Sequence, residues 1–189
     1  MERYYAIVSR AVKTYDPNHL YLGSRMIRVS GIEPAMRAYG KHADVLSINW
    51  YGAWTLEPER IENWAAWVDK PFIISEWYAK GHDVPGLTNE SGAGWLVHTQ
   101  KERGYYYQNM ALNLLSKKNA VGWHWFKYAD NDPDDLTTDP SNRNANKGIV
   151  NVKYEPYVEL TEAMKEVNTQ AYRLIEFFDD ATYESASDM

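Results

Sequence analysis

Four short apolar runs, each followed by a stretch of helical periodicity, govern what this chain can fold into. LYLGS (20–24), ADVLSINWY (43–51), KPFIISEW (70–77) and AVGWHWFKY (120–128) carry near-continuous apolar centres of about five residues, ordinary strand length. Such runs are read as strands buried on both faces, the mark of a parallel sheet wrapped by helices. Around them, apolar residues recur at helical spacing. Tyr4, Ile7, Val8, Ala11, Val12 and Tyr15 do so over 3–15. A short helix is expected at 33–40, and another over 57–68, with Pro58 in its first turn and Ile61, Trp64, Ala65 and Val68 on one face. Longer helices are expected near 96–117 and 156–175. The turn DPNH (16–19) stops the first helix, 81–94 is Gly/Ser/Asn-rich, and 129–148 is a polar, acidic loop. From Phe178 the chain is polar and expected to fray.

The order α(βα)₄ fits two α/β architectures, a doubly wound sheet or a piece of a (β/α)₈ TIM-type barrel. No Gly-rich phosphate loop follows any strand, which weakens the nucleotide-binding version. A complete barrel takes about 250 residues and eight strands, and this chain has 189 residues. The expectation is a half barrel with four parallel strands and flanking helices over 1–178, followed by a polar tail, 179–189.

Charge and composition exclude several functions. A net charge of −6 without a basic patch argues against nucleic acid. No apolar run approaches the roughly 20 residues of a membrane helix, so no membrane partner is expected. MERYYAIVSRAVKTY is amphipathic and lacks signal-peptide architecture, so export by that route is not expected of the chain as given. With no cysteine there is neither disulfide nor thiolate chemistry. Asp130, Asp132 and Asp134 alternate as in a calcium loop, but no glycine at the sixth position and no glutamate at the twelfth complete one. No metal and no cofactor are expected, and the loop is read as solvated, touching sugar hydroxyls. Eight Trp and 15 Tyr against 4 Phe favour rings with a polar handle. Such rings serve half-buried packing in any α/β protein, or line a groove for a ligand with flat apolar faces and many hydroxyls, a sugar.

Barrel chemistry sits at the C-terminal ends of the strands. Those positions hold Ser24 and Arg25; Asn49, Trp50 and Tyr51; Glu76, Trp77 and Tyr78; and Trp123, His124, Trp125 and Lys127. The set suits glycoside hydrolysis, in which a nucleophile and an acid/base carboxyl stand about 5–5.5 Å apart in retaining enzymes. Glu76 has the place of the nucleophile, and Arg25 and Tyr51 are candidates to hold it. Bland readings stay open beside these. Glu76 can be a loop carboxylate or a structural partner of Arg25, Asn49 a loop cap, and the tryptophans core. His124 alternates with the tryptophans and so faces away from them.

YLGSR, ADVLSINWY, KPFIISEWYAKG and GWHWFKYADNDP together resemble strands five to eight of clan A glycoside hydrolases, and most closely the β-agarase-like enzymes that cleave galactans. SGAGW, QKERGYYYQN and NKGIVNVKYEPY strengthen the likeness, which runs from the first helix to about Phe178. The resemblance implies a retaining mechanism on an oligosaccharide or polysaccharide, with Glu76 as nucleophile, Tyr51 orienting it and Arg25 touching substrate or carboxylate. Trp125 or Trp123 would be the sugar platform, with Asn49, Trp77, His124 and Lys127 as further substrate-binding positions. It also implies full-length relatives that are secreted or periplasmic. The family's acid/base glutamate belongs to an Asn-Glu pair at the end of strand four. Here the Asn89-Glu90 pair falls in the Gly/Ser-rich loop instead, so that carboxyl is expected to be absent from this chain. Open sheet edges would then favour a homo-oligomer or docking of a missing N-terminal barrel half.

Overall fold

A computed structural model describes residues 1–135, 137 and 142–187, with backbone alone over 181–187. Among these residues the elements run α1 (Glu2–Tyr15), a 3₁₀ turn (Val29–Gly31), α2 (Glu33–Gly40), β1 (Leu46–Asn49), α3 (Pro58–Val68), β2 (Phe72–Trp77), β3 (Ala79–Gly81), β4 (Trp95–Val97), α4 (Gln100–Leu115), β5 (Ala120–Trp125), α5 (Val158–Asn168) and α6 (Ala171–Ser187). They divide into two compact units, one of residues 1–50, 56–76 and 119–124, the other of 51–55, 77–118 and 125–189.

The first unit carries a three-stranded sheet in the order β1-β2-β5. β1 and β2 pair in parallel, Leu46 against Phe72 and Ile48 against Ile74. Phe72 N donates to Asn119 O, joining β2 to the start of β5. The apolar runs are buried as their sequence demands: Leu46, Ile48, Phe72 and Ile74 are all at most 1% exposed, each worth about 1.5–3 kcal/mol of burial. Trp64 of α3 packs edge-on to Phe72, and its indole N–H donates to Ser30 O at 2.9 Å. Tyr5 of α1 meets Tyr39 of α2 edge-on at 5.1 Å.

One expected strand is absent. LYLGS (20–24) forms no ladder among the described residues, and just beyond it Met26 makes an isolated parallel bridge to Ile48. Side chains take two of its polar backbone groups, Tyr39 Oη donating to Leu22 O and Tyr21 N donating to Asp44 Oδ2, while Tyr21 O accepts from Asp44 N. Gly23 at φ +63° interrupts the extended backbone, and Leu20 and Leu22 stay exposed.

The second unit contains a two-stranded parallel sheet, β3 with β4, in residues whose sequence reads as loop and helix start. Thr99 caps α4 by accepting from Glu102 N, and Glu102 accepts in turn from His98 N. α4 packs on α5 closely enough that a Cβ on Gly104 would lie 2.7 Å from Ala163 Cβ. The single helix expected at 156–175 is two helices, and α6 runs on to Ser187, through the stretch expected to fray. Ala171, Leu174 and Phe178 recur on its half-buried face.

The centre of this unit is polar. Arg103 is fully buried and donates from Nε to Ala79 O, from Nη1 to Gln100 Oε1 and from Nη2 to Gly148 O, all within 2.8 Å. Burial pulls its guanidinium down to about 10, opposed by the charge of Asp130, so it stays cationic at neutral pH. Asp130 accepts from Lys147 N, Gly148 N, Asn146 Nδ2 and the Tyr157 hydroxyl. The acidic loop is therefore not uniformly solvated. Asp130 and Asn131 are buried, whereas Asp132 and Asp134 are exposed, because Asp130 finds four donors that replace water.

Candidate active site

Glu76 lies at the end of the middle strand, held by two cationic or amide donors on one oxygen. Arg25 Nη1 donates to Glu76 Oε2 at 3.0 Å and Asn49 Nδ2 donates to the same atom at 2.8 Å. The Glu76 side chain is 19% exposed, which leaves it reachable. Sequence reasoning named Arg25 and Tyr51 as candidates to hold this carboxylate and Asn49 as a substrate contact; Arg25 and Asn49 are both bonded to it.

A register slip creates this contact. Ile48 pairs with Ile74, but Asn49 pairs with Glu76, so Ser75 is the extra residue of a β-bulge. Without the slip, Asn49 would stand opposite Ser75 and Glu76 would turn to the other face. Ser75 is instead buried and donates from Oγ to Asn49 Oδ1 at 3.0 Å. With its oxygen occupied as acceptor, the Asn49 amide presents its NH₂ to Glu76. Sequence reasoning missed Ser75; its adjacency to Glu76 in IISEW was the available signal.

The remaining predicted positions have surroundings of different kinds. Trp77 is a correction: it is 0% exposed, stacked on Tyr107 at 5.4 Å and edge-on to Trp125 at 5.1 Å, so its ring is core and cannot take a ligand. Trp50 is likewise buried, edge-on to Trp64. Tyr51 belongs to the second unit, where it meets Tyr78 edge-on at 5.5 Å. Trp123 is half-buried and His124 exposed, on alternate faces of β5. Trp125, half-buried, donates its indole N–H to Lys147 O at 2.9 Å and lies 5.5 Å from the Arg103 guanidinium. Lys127 is half-buried and donates to Asn131 Oδ1. Asn89 of the Asn-Glu pair is structural, donating to Gly81 O and accepting from Asn146 N in a buried loop.

A carboxylate clamped at the end of a parallel strand and left partly exposed can act as a base, a nucleophile or a charge partner for a ligand. No protein-family profile matches the chain. Its homologues are beta-agarases, which supports the resemblance to agarase-like glycoside hydrolases seen in the motifs. Beta-agarase B of Vibrio sp. (strain JT0107) is 31% identical over 172 residues, 91% of this chain and 17% of that protein. The crystal structure of BpGH50 is similar over 94% of this chain and 37% of its own, with 40% identity and a TM-score of 0.84. An exo-beta-agarase structure gives 32% identity and a TM-score of 0.79 over 92% of this chain and 22% of its own. The chain thus spans about a sixth of the length of the curated relatives it matches.

Proposed function

We propose that these residues are the nucleophile-bearing, C-terminal half of a retaining, galactan-cleaving glycoside hydrolase with a (β/α)₈ barrel. The observation that carries this reading is the Glu76 carboxylate held between Arg25 and Asn49 at the end of β2. In the first step a Glu76 oxygen attacks the anomeric carbon while the glycosidic C–O bond breaks. The departing oxygen takes its proton from an acid/base carboxyl, which lies outside these residues. In the second step water attacks the same carbon, gives its proton to that partner, and releases Glu76. Two inversions retain configuration. Arg25 and Asn49 fix the attacking carboxylate, so orientation is established before substrate arrives.

Trp123, half-buried on β5 of the same unit as Glu76, offers its ring to the sugar. β5 ends the three-stranded sheet and leaves Val121 61% exposed. An exposed apolar edge favours pairing with a second copy or with the N-terminal barrel half.

Turnover of an activated aryl β-galactoside, whose phenolate departs without a proton from the acid/base partner, by the chain and by Glu76→Gln, with molecular mass followed by light scattering, tests the proposal. Turnover lost in the variant is the expected result. Equal turnover in both overturns Glu76 as nucleophile. Binding without turnover in either favours a carbohydrate-binding half barrel instead.

A further inference from the structure

Beyond β5 the chain comes back in a tight hairpin whose tip carries an aromatic ring. Val150 bridges Ala129 in parallel and Pro156 in antiparallel fashion. Asn151 pins the turn: its N donates to Glu155 O at 2.9 Å, its Oδ1 accepts from Lys153 N and Glu155 N, and its Nδ2 donates to Glu155 Oε2 at 2.7 Å. This bonding forces Tyr154 to φ +63°, a left-handed conformation that a bulky residue rarely adopts. Glycine would serve the turn with less strain.

The ring so presented is 70% exposed and lies 6.5 Å, centroid to centroid, from Tyr128, itself 63% exposed, with the planes 36° apart. Two neighbouring aromatic rings left in water add nothing to the core, and strain maintained at such a place points toward function. Beside them opens a cleft of about 470 Å³, rimmed by Lys127, Asn131, Asp132 and Asp135. Ring faces with amide and carboxylate groups around them match one ligand chemistry in particular. The C–H-lined face of a sugar ring rests on the negative faces of the tyrosines, and its hydroxyls reach the polar rim. Three carboxylates, of Asp130, Asp132 and Asp135, against the one ammonium of Lys127 disfavour an anionic glycan.

We propose that Tyr128 and Tyr154 form a carbohydrate-binding platform for a neutral oligosaccharide, a role distinct from any given to the strand-end residues above. Only the identity of the sugar, a galactan, rests on the function proposed above. The platform takes its rigidity from the Asn151 turn, so it is preformed rather than assembled on binding.

Calorimetric titration of the chain with a neutral agar-type oligosaccharide, and in parallel with a β-gluco-oligosaccharide, tests this. Tyr128→Ala and Tyr154→Gly are each expected to weaken binding by about tenfold, while Tyr154→Phe keeps wild-type affinity. Tyr154→Gly also relieves the left-handed strain, so it should melt no lower than the wild type and its lost affinity cannot be ascribed to unfolding. Wild-type affinity in both ring-deleting variants, or no binding of either sugar, overturns the platform. Galactan binding that ignores the tyrosines overturns it while leaving the galactan reading intact. Tyrosine-dependent binding of the glucan alone supports the platform and defeats the galactan reading.

Discussion

Asn49 faces Glu76, rather than Ser75, because the ladder between β1 and β2 slips by one residue after Ile48. Ser75 then becomes the anchor of the residue it displaced, its hydroxyl bonded to Asn49 Oδ1. The order of function is Ser75 to Asn49 to Glu76, each link set by backbone register. Removing the hydroxyl in Ser75→Ala should free the Asn49 amide to flip. The side-chain amide resonances of Asn49 report this directly: they should shift and broaden in Ser75→Ala and recover in Ser75→Thr. Unchanged resonances would mean that the bulge alone orients Asn49.

Arg103 is expected to be the most sensitive single position in the second unit. Replacing it with methionine leaves Ala79 O, Gly148 O and Gln100 Oε1 without their donor. At ~1–3 kcal/mol for each unsatisfied buried group, chemical denaturation should show a loss of at least ~3 kcal/mol. Arg103→Lys should not rescue it, because a point ammonium cannot span three acceptors set around a planar guanidinium.

Gly148 and Gly122 should respond in opposite ways to a methyl group. A Cβ on Gly148 would lie 2.3 Å from Val150 O and 2.4 Å from Asp130 N, both backbone atoms that cannot move aside cheaply. Gly148→Ala should therefore cost ~1–3 kcal/mol as overpacking. A Cβ on Gly122 meets only Ile73 carbons at 3.8 and 3.9 Å, and thermal melting of Gly122→Ala should be close to wild type.

Asp44 gives the first unit an acid-sensitive tie. The backbone N–H of Tyr21, and then the Lys13 ammonium, hold its carboxyl below the usual carboxylate range. A carboxylate depressed in the folded state adds stability that is fully present above its unfolded value of about 3.9 and is lost as pH falls through the folded value. Asp44→Asn should lower Tm at pH 7, and the gap to wild type should close as the pH is taken below about 4. A gap that persists undiminished in acid would show that the ionised carboxylate is not the source.

Much of the sheet was legible because continuous apolar runs have few ways to be buried: ADVLSINWY and PFIISEW became β1 and β2, and the glutamate at the end of the latter stood out by contrast. What could not be read depends on hydrogen bonds that leave no periodicity. LYLGS has the composition of a strand, yet its backbone is claimed by Tyr39 and Asp44. β3 and β4 are three residues each, too short for a pattern to register. Trp77 sits beside Glu76 in sequence, and only packing against Tyr107 and Trp125 reveals it as core. Asp130 looks solvated by composition and is buried by its four donors. The Ser75 bulge is a matter of register, which residue types alone do not encode.

Labelling with a 2-deoxy-2-fluoro-β-galactosyl fluoride tests Glu76 most directly, because fluoride departs without a proton from an acid/base partner. The second step is slowed by the fluorine, so the glycosyl-enzyme ester accumulates. Mass spectrometry should show one fluorosugar added per chain, on a peptide containing Glu76, and none on Glu76→Gln. An adduct on another carboxylate, or no adduct at saturating sugar, would contradict Glu76 as the nucleophile.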